Sequence, residues 1–142
     1  MTEKNSRKRI FILEDDTRRI QLFEEKLQFD HDLTITINSD DAIETLKLHK
    51  FDLLCLDHDL GRRQMVDSFE YDTGYRVACE IPNTVNRDTP VLIHSYNPSG
   101  AGQMWEVLTC KRKKCSPFNE TNFMGDRTYW DDLNDKIGRA HV

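Results

Sequence analysis

The sequence predicts an α/β fold, a parallel sheet with helices wound on both faces, and three stretches carry that expectation. Phe51–Gly61 (FDLLCLDHDLG) runs apolar through Leu53-Leu54-Cys55-Leu56 and ends in Asp57-His58-Asp59. Arg9–Asp16 runs through Ile10-Phe11-Ile12-Leu13 into Glu14-Asp15-Asp16, and Pro90–Asn97 runs through Val91-Leu92-Ile93 into His94-Ser95-Tyr96-Asn97. A short apolar run without alternation suits a strand buried on both faces, as in a parallel sheet. Ionisable groups at its carboxyl end sit where ligands bind in open α/β sheets. Three strands are therefore expected to deliver Glu/Asp, Asp/His/Asp and His/Ser to one edge of one sheet.

The elements follow in order. Residues 1–8 are polar and expected to fray. The first strand is Arg9–Leu13. A helix over Thr17–Gln28 follows, capped by Asp16 or Thr17, with Ile20, Phe23 and Leu27 on one face. Asp30-His31-Asp32 is a turn. Leu33–Ile37 alternates apolar residues with threonine and reads as a strand nearer an edge. Ser39-Asp40-Asp41 caps a second helix, its acids matching the macrodipole, with Ala42, Ile43 and Leu46 inward. Phe51–Leu56 is the third strand. Gly61–Asp72 has no clean period and is a loop long enough to be functional. Gly74, Val77, Ala78 and Ile81 give a third helix over Thr73–Ile81, stopped by Pro82-Asn83. Pro90–Ser95 is the fourth strand. Asn97-Pro98 reads as an N-cap plus a first-turn proline. Ala101, Met104, Trp105 and Leu108 face inward from the fourth helix. A weak fifth strand lies near Cys115–Phe118. Thr128-Tyr129-Trp130-Asp131 opens a last helix, to about residue 138, with Trp130, Leu133 and Ile137 as its face. This βαβαβαβα order, then β and α, gives a doubly wound sheet.

At 142 residues the chain is expected to form a single domain over 1–142, with its core at about 9–118. No apolar run approaches the roughly 20 residues of a membrane span. The start MTEKNSRKRI lacks the apolar stretch of a secretory signal. The net charge of −5 argues against a duplex-DNA binder. Cys55, Cys79, Cys110 and Cys115 form no CxxC and read as thiols of a cytoplasmic protein. A zinc site from Cys110, Cys115 and a histidine is the less favoured reading.

The motifs in their order resemble a response-regulator receiver domain from about Arg9 to Phe118. Glu14-Asp15-Asp16 is similar to the receiver's acidic pair, and Asp57 falls where its phosphoacceptor aspartate falls. Asp72-Thr73-Gly74 resembles the opening of the third helix, and Ser95 takes the place of the hydroxyl residue. The resemblance implies a flavodoxin-like sheet of five parallel strands in the order 2-1-3-4-5. Ser116-Pro117-Phe118 departs from the receiver's Lys-Pro-Phe, with Lys114 the nearest lysine, which speaks against ordinary phosphorelay. Leu56–Gly61 (LDHDLG) together with His94–Gly102 (HSYNPSGAG) is similar to a divergent family, the cyclic-phosphate processing receiver domain. That resemblance implies a hydrolase role on terminal cyclic phosphates in RNA repair.

Glu14, Asp15 and Asp57 at adjacent strand ends would repel one another unless a hard cation joined them. Mg²⁺ or Mn²⁺ with oxygen ligands is the expected cofactor. The alternative is that these acids cap the first helix and face water. Asp59 would add its backbone carbonyl, as the equivalent receiver position does. His58 and His94 are candidate acid and base beside Asp57, because opening a 2′,3′-cyclic phosphate needs both. Either one is instead a metal ligand, or both are ordinary hydrogen-bonded histidines. Ser95, Asn97, Ser99 and Gly100 at the start of the fourth helix are the candidate phosphate site. Lys111–Lys114 is either an RNA-backbone contact or, more simply, a solvated helix end. Trp105 and Trp130 read as core by their spacing.

Three functions fit. The first is a metal-assisted phosphoesterase acting on a cyclic-phosphate substrate, an RNA end or a cyclic nucleotide. The second is an atypical receiver signalling to a protein partner through the fourth helix. The third is a non-catalytic sensor of cyclic phosphates.

Overall fold

In the computed structural model, residues 7–95, 97–110 and 115–116 are described. The expectations for residues 1–6, Tyr96, 111–114, Pro117, Phe118 and the last helix with Trp130 lie outside them. So do those for the side chains of Cys110, Cys115 and Ser116, and with them the zinc alternative.

The elements run β1 Arg9–Leu13, α1 Thr17–Leu27, β2 Asp32–Thr36, α2 Ser39–Leu48 and β3 Leu53–Leu56. Then come α3 Gly74–Glu80, a 3-10 turn Ile81–Asn83, β4 Val91–Ile93, α4 Pro98–Cys110 and β5 Cys115–Ser116. The strands form one sheet in the order β2-β1-β3-β4-β5, every pair parallel. The sequence-based order is thus met: β1 has the expected bounds, β2 is shifted by one residue, and β3 and β4 are shorter than the expected Phe51–Leu56 and Pro90–Ser95.

Caps follow the local chemistry. The Asp16 carboxylate accepts the amides of Arg18 and Arg19 and starts α1. The second helix starts one residue earlier than the sequence indicates. Asn38, not Ser39, is its cap, taking the Asp41 amide, while the Ser39 amide donates to Asp72 at 2.8 Å. Thr73 caps α3.

The sheet divides the core in two, because successive side chains of a strand point to opposite faces. Phe11, Leu13, Leu54, Leu56, Val91 and Ile93 pack under α2, α3 and α4. Ile10, Ile12, Leu53, Cys55 and Leu92 pack against Phe23 and Leu27 of α1. Each fully buried Leu or Ile contributes about 2 kcal/mol. Ala101, Met104 and Leu108 do face inward from α4, but Trp105 is 40% exposed. It flanks the inward stripe that those three residues centre, so its reading as core is corrected. Gly74 lets α3 start against the end of β3. A Cβ there would lie 1.8 Å from the Asp57 carbonyl oxygen. No helix among the described residues is long and apolar enough to cross a membrane.

Candidate active site

The ladders run one residue past the strands, and that fixes the site. The Asp57 amide donates to the Leu13 carbonyl at 3.1 Å and the His94 amide to Leu56 at 2.8 Å. Extending the Leu56↔Ile93 register sets Asp57 beside His94 and His58 beside Ser95. Alternation then sends Glu14, Asp57 and His94 to the α1 face and His58 and Ser95 to the α4 face.

On the α1 face, Glu14 is fully buried. Its Oε1 accepts Arg19 Nε and His94 Nε2, each at 3.0 Å. Its Oε2 accepts Arg19 Nη2 and the Asp16 amide, each at 3.0 Å. Burial alone would raise this carboxyl, but His94 and Arg19 outweigh it and hold Glu14 down to about 2. An ionised carboxylate only accepts, so His94 Nε2 carries the proton. Burial keeps His94 below its ordinary value despite Glu14, and its ring packs against Phe23 with centroids 5.0 Å apart. Asp57 has the opposite balance. Burial, then the Glu14 charge, push its carboxyl well above the ordinary range, and Arg19 Nη2 at 3.5 Å only partly offsets them. Asp15 is raised too, first by its burial and then by Glu14 against the Arg62 amide, which donates to its Oδ2 at 2.6 Å. One ligand oxygen each from Glu14, Asp15 and Asp57 lie within 4.8 Å of one another.

A cavity of about 510 Å³ opens over these acids. Asp15, Asp57 and Asp59 line it with Arg18, Arg19, Arg62 and Arg63. Its far wall is the start of the 61–72 loop, where Arg62 and Met65 take left-handed φ values of 60° and 53°. Non-glycine residues adopt that region at a cost of order 1–3 kcal/mol, and such strain clusters at functional sites.

The α4 face is closed. The His58 ring, fully buried, spans Asp59 Oδ1 from Nδ1 and Ser68 Oγ from Nε2, both at 2.8 Å. Ser68 also meets the Gln103 amide of α4. Asp59 accepts the amides of Met65 at 2.6 Å and Val66 at 3.2 Å, and Asn97 Nδ2 at 3.0 Å. Burial raises the Asp59 carboxyl, but these donors, Asn97 and His58 first, bring it below its ordinary value. Asn97 also caps α4, its Oδ1 accepting the Gly100 amide at 2.9 Å. Gly100 leaves room for the imidazole, since a Cβ there would come within 2.5 Å of the ring.

The structure therefore brings Glu14, Asp15, Asp57 and His94 together, and sets His58 apart from them. The placing of both His58 and His94 beside Asp57 as acid and base is corrected by alternation, which sends the two histidines to opposite faces. Neither histidine lines the cavity. Both histidines are buried. Ser95, Asn97 and Gly100 are buried as well, and the Gly100 amide is taken by Asn97. Only Ser99 of that expected phosphate site is exposed. The Asp59 carboxylate serves the loop. Sequence reasoning missed Arg18, Arg19, Arg62, Arg63 and Ser68. The doublets Arg18-Arg19 and Arg62-Arg63, each just after an acidic strand end, were the available signal.

No curated protein matches the chain. Solved receiver domains share its fold. One is a CheY-like receiver domain from Methanospirillum hungatei, at 15% identity and TM-score 0.63, covering 96% of this chain and 98% of that one. Another is the receiver domain of a sensor histidine kinase from Pseudomonas aeruginosa, with a magnesium ion coordinated in its active site cleft. It is 18% identical with TM-score 0.63, covering 94% of this chain and 99% of that one. A sensor protein from Polaromonas is 17% identical with TM-score 0.68, covering 95% and 99%. The sequence profile of the cyclic-phosphate processing receiver domain matches residues 10–110, from β1 to the end of α4. The chain belongs to the cyclic-phosphate processing receiver domain family.

Proposed function

We propose that the chain binds a divalent cation and a cyclic phosphate in the cavity beside α1, and opens the phosphate by hydrolysis. The carrying observation is the convergence of Glu14, Asp15 and Asp57 oxygens within 4.8 Å beneath a rim of arginines. The donor set fits a hard cation: all three are oxygen donors, and Asp57 and Asp15 are both short of positive charge, as their raised carboxyls indicate. Asp15 and Asp57 would hold Mg²⁺ or Mn²⁺, with Glu14 behind them and the Asp59 carbonyl alongside. Such an ion supplies Lewis-acid polarisation of a phosphoryl oxygen. Arg18, Arg62 and Arg63 would take the charge of the phosphate, which arginine forks suit. His94 orients Glu14 and His58 fastens the loop, so both act as positioning residues. The magnesium held by the Pseudomonas receiver supports the cation, and the family's description supports the ligand.

The test is an assay with Mg²⁺ or Mn²⁺ on four substrates. These are a 2′,3′-cyclic nucleotide, an RNA fragment ending in a 2′,3′-cyclic phosphate, a 3′,5′-cyclic nucleotide and acetyl phosphate. Cation-dependent hydrolysis of a 2′,3′-cyclic phosphate, lost in Asp57→Asn, is expected. No hydrolysis of any cyclic phosphate would refute it. A second reading, a non-catalytic sensor, is favoured by the absence of both histidines from the cavity lining. It expects calorimetric binding of the same nucleotide with no product. Stable phosphorylation of Asp57 by acetyl phosphate would instead mark a signalling receiver.

A further inference from the structure

We infer that Arg19 is a resident counter-cation of the acidic floor, one that withholds Glu14 from a bound metal ion and limits the affinity of Asp15 and Asp57 for it. This inference rests on the cation reading above and concerns which of the three carboxylates is free to serve.

Glu14 belongs to the convergent triad, yet its oxygens are already committed. They accept Arg19 Nε, Arg19 Nη2, His94 Nε2 and the Asp16 amide, all at 3.0 Å. A carboxylate offers about four lone-pair positions, so these four donors fill them. The Arg19 contact is a two-pronged fork onto a fully buried acid, with the Arg19 side chain itself only 17% exposed. Forks of this kind are the stronger charge-assisted bonds, and little water is present to weaken this one. His94 and the Asp16 amide hold Glu14 from its other sides, so it does not swing toward the cavity without leaving three groups. The same guanidinium reaches Asp57, Nη2 lying 3.5 Å from Oδ2. Arg19 thus stands on both the buried acid that it saturates and the acid that lines the cavity. Three carboxylates less one guanidinium leave a floor of charge −2, the complement of one divalent ion. Without Arg19 the floor would carry −3, grip a cation more tightly and repel itself more strongly when metal-free.

The experiment titrates Mn²⁺ by calorimetry into wild type, Arg19→Gln and Arg19→Lys, and measures their melting temperatures in EDTA. Circular dichroism checks the fold of each. Arg19→Gln should melt lower in EDTA yet bind Mn²⁺ roughly ten-fold more tightly or better. Arg19→Lys keeps the charge and loses the fork, so it should fall between the two. If wild type binds Mn²⁺ and neither variant binds it more tightly, the role of Arg19 is wrong while the cation reading stands. If no protein of the three binds Mn²⁺, the cation reading fails and this inference with it. Should Arg19→Gln not fold, Arg19→Lys decides by the same comparison with wild type.

Discussion

Two adjacent residues of one strand end, Asp57 and His58, lie on opposite faces of the sheet and in opposite chemical conditions. Asp57 faces α1, lines an open cavity and is short of positive partners. His58 faces α4, where Asp59 and Ser68 satisfy both ring nitrogens and Gly100 shapes the space around it. The residue types are alike on the two sides: carboxylates, a histidine and a neighbouring loop. What differs is whether the partners are already inside the protein. A buried polar network that is complete adds rigidity, whereas one that is incomplete remains ready for a ligand. The closed side builds the wall of the cavity, and the open side is left for chemistry.

The largest expected effect lies on the closed side. His58→Ala removes a fully buried ring and takes one partner each from the Asp59 carboxylate and the Ser68 hydroxyl, which keep their bonds to Met65, Val66, Asn97 and Gln103. Losing the packing and a partner for a buried charge should cost about 4 kcal/mol in urea unfolding. A variant as stable as wild type would mean that the network does not hold the fold.

On the open side the sign should reverse. Asp57→Asn removes a buried carboxyl whose ionised form burial and the Glu14 charge disfavour, so in EDTA at neutral pH it should stabilise the fold by about 2 kcal/mol. The pH dependence follows from linkage. Asp57 has a folded value above its ordinary 3.8, so its contribution is intact below 3.8 and is lost as pH rises through the raised value. The advantage of Asp57→Asn should therefore grow over that rise. Glu14 does the opposite. Its contribution is intact above 4.5 and is lost as pH falls toward about 2. Adding Mg²⁺ should raise the melting temperature of wild type and leave Asp57→Asn nearly unmoved, because a ligand of the native state stabilises it by mass action. Thermal melts from about pH 2 to pH 9, with and without Mg²⁺, check both signs.

Ser68→Ala should give the smallest change. It removes the hydroxyl that joins His58 to Gln103 across the loop, worth about 1 kcal/mol. Limited proteolysis should cut 61–72 faster, while the Mg²⁺-induced melting shift stays that of wild type. A lost shift would couple the two faces, and the comparison above would need redrawing.

Particular residues show how far the sequence reached. Glu14, Asp15 and Asp57 were legible as a convergent group, since each follows a short, uniform apolar run of the kind that suits a strand buried on both faces. His94 was legible as their neighbour. The grouping of His58 with His94 was not sound, although the period of two along Asp57-His58-Asp59 already implied that neighbours point apart. Trp105 fits a helical apolar stripe in the sequence and lies at the stripe's border in the fold.

The sequence by itself determined the order of elements, the parallel sheet and the acidic carboxyl edge, because these depend on apolar run length and on what ends each run. Tertiary structure alone decided the rest. The β3–β4 register set Asp57, not His58, beside His94. The turn of the loop brought the Arg62 amide onto Asp15, 47 residues away in the chain. The fold of α1 over β1 laid Arg19 across Glu14 and Asp57. Each of these is a meeting of groups from separate elements, and no local propensity encodes the distance between two elements.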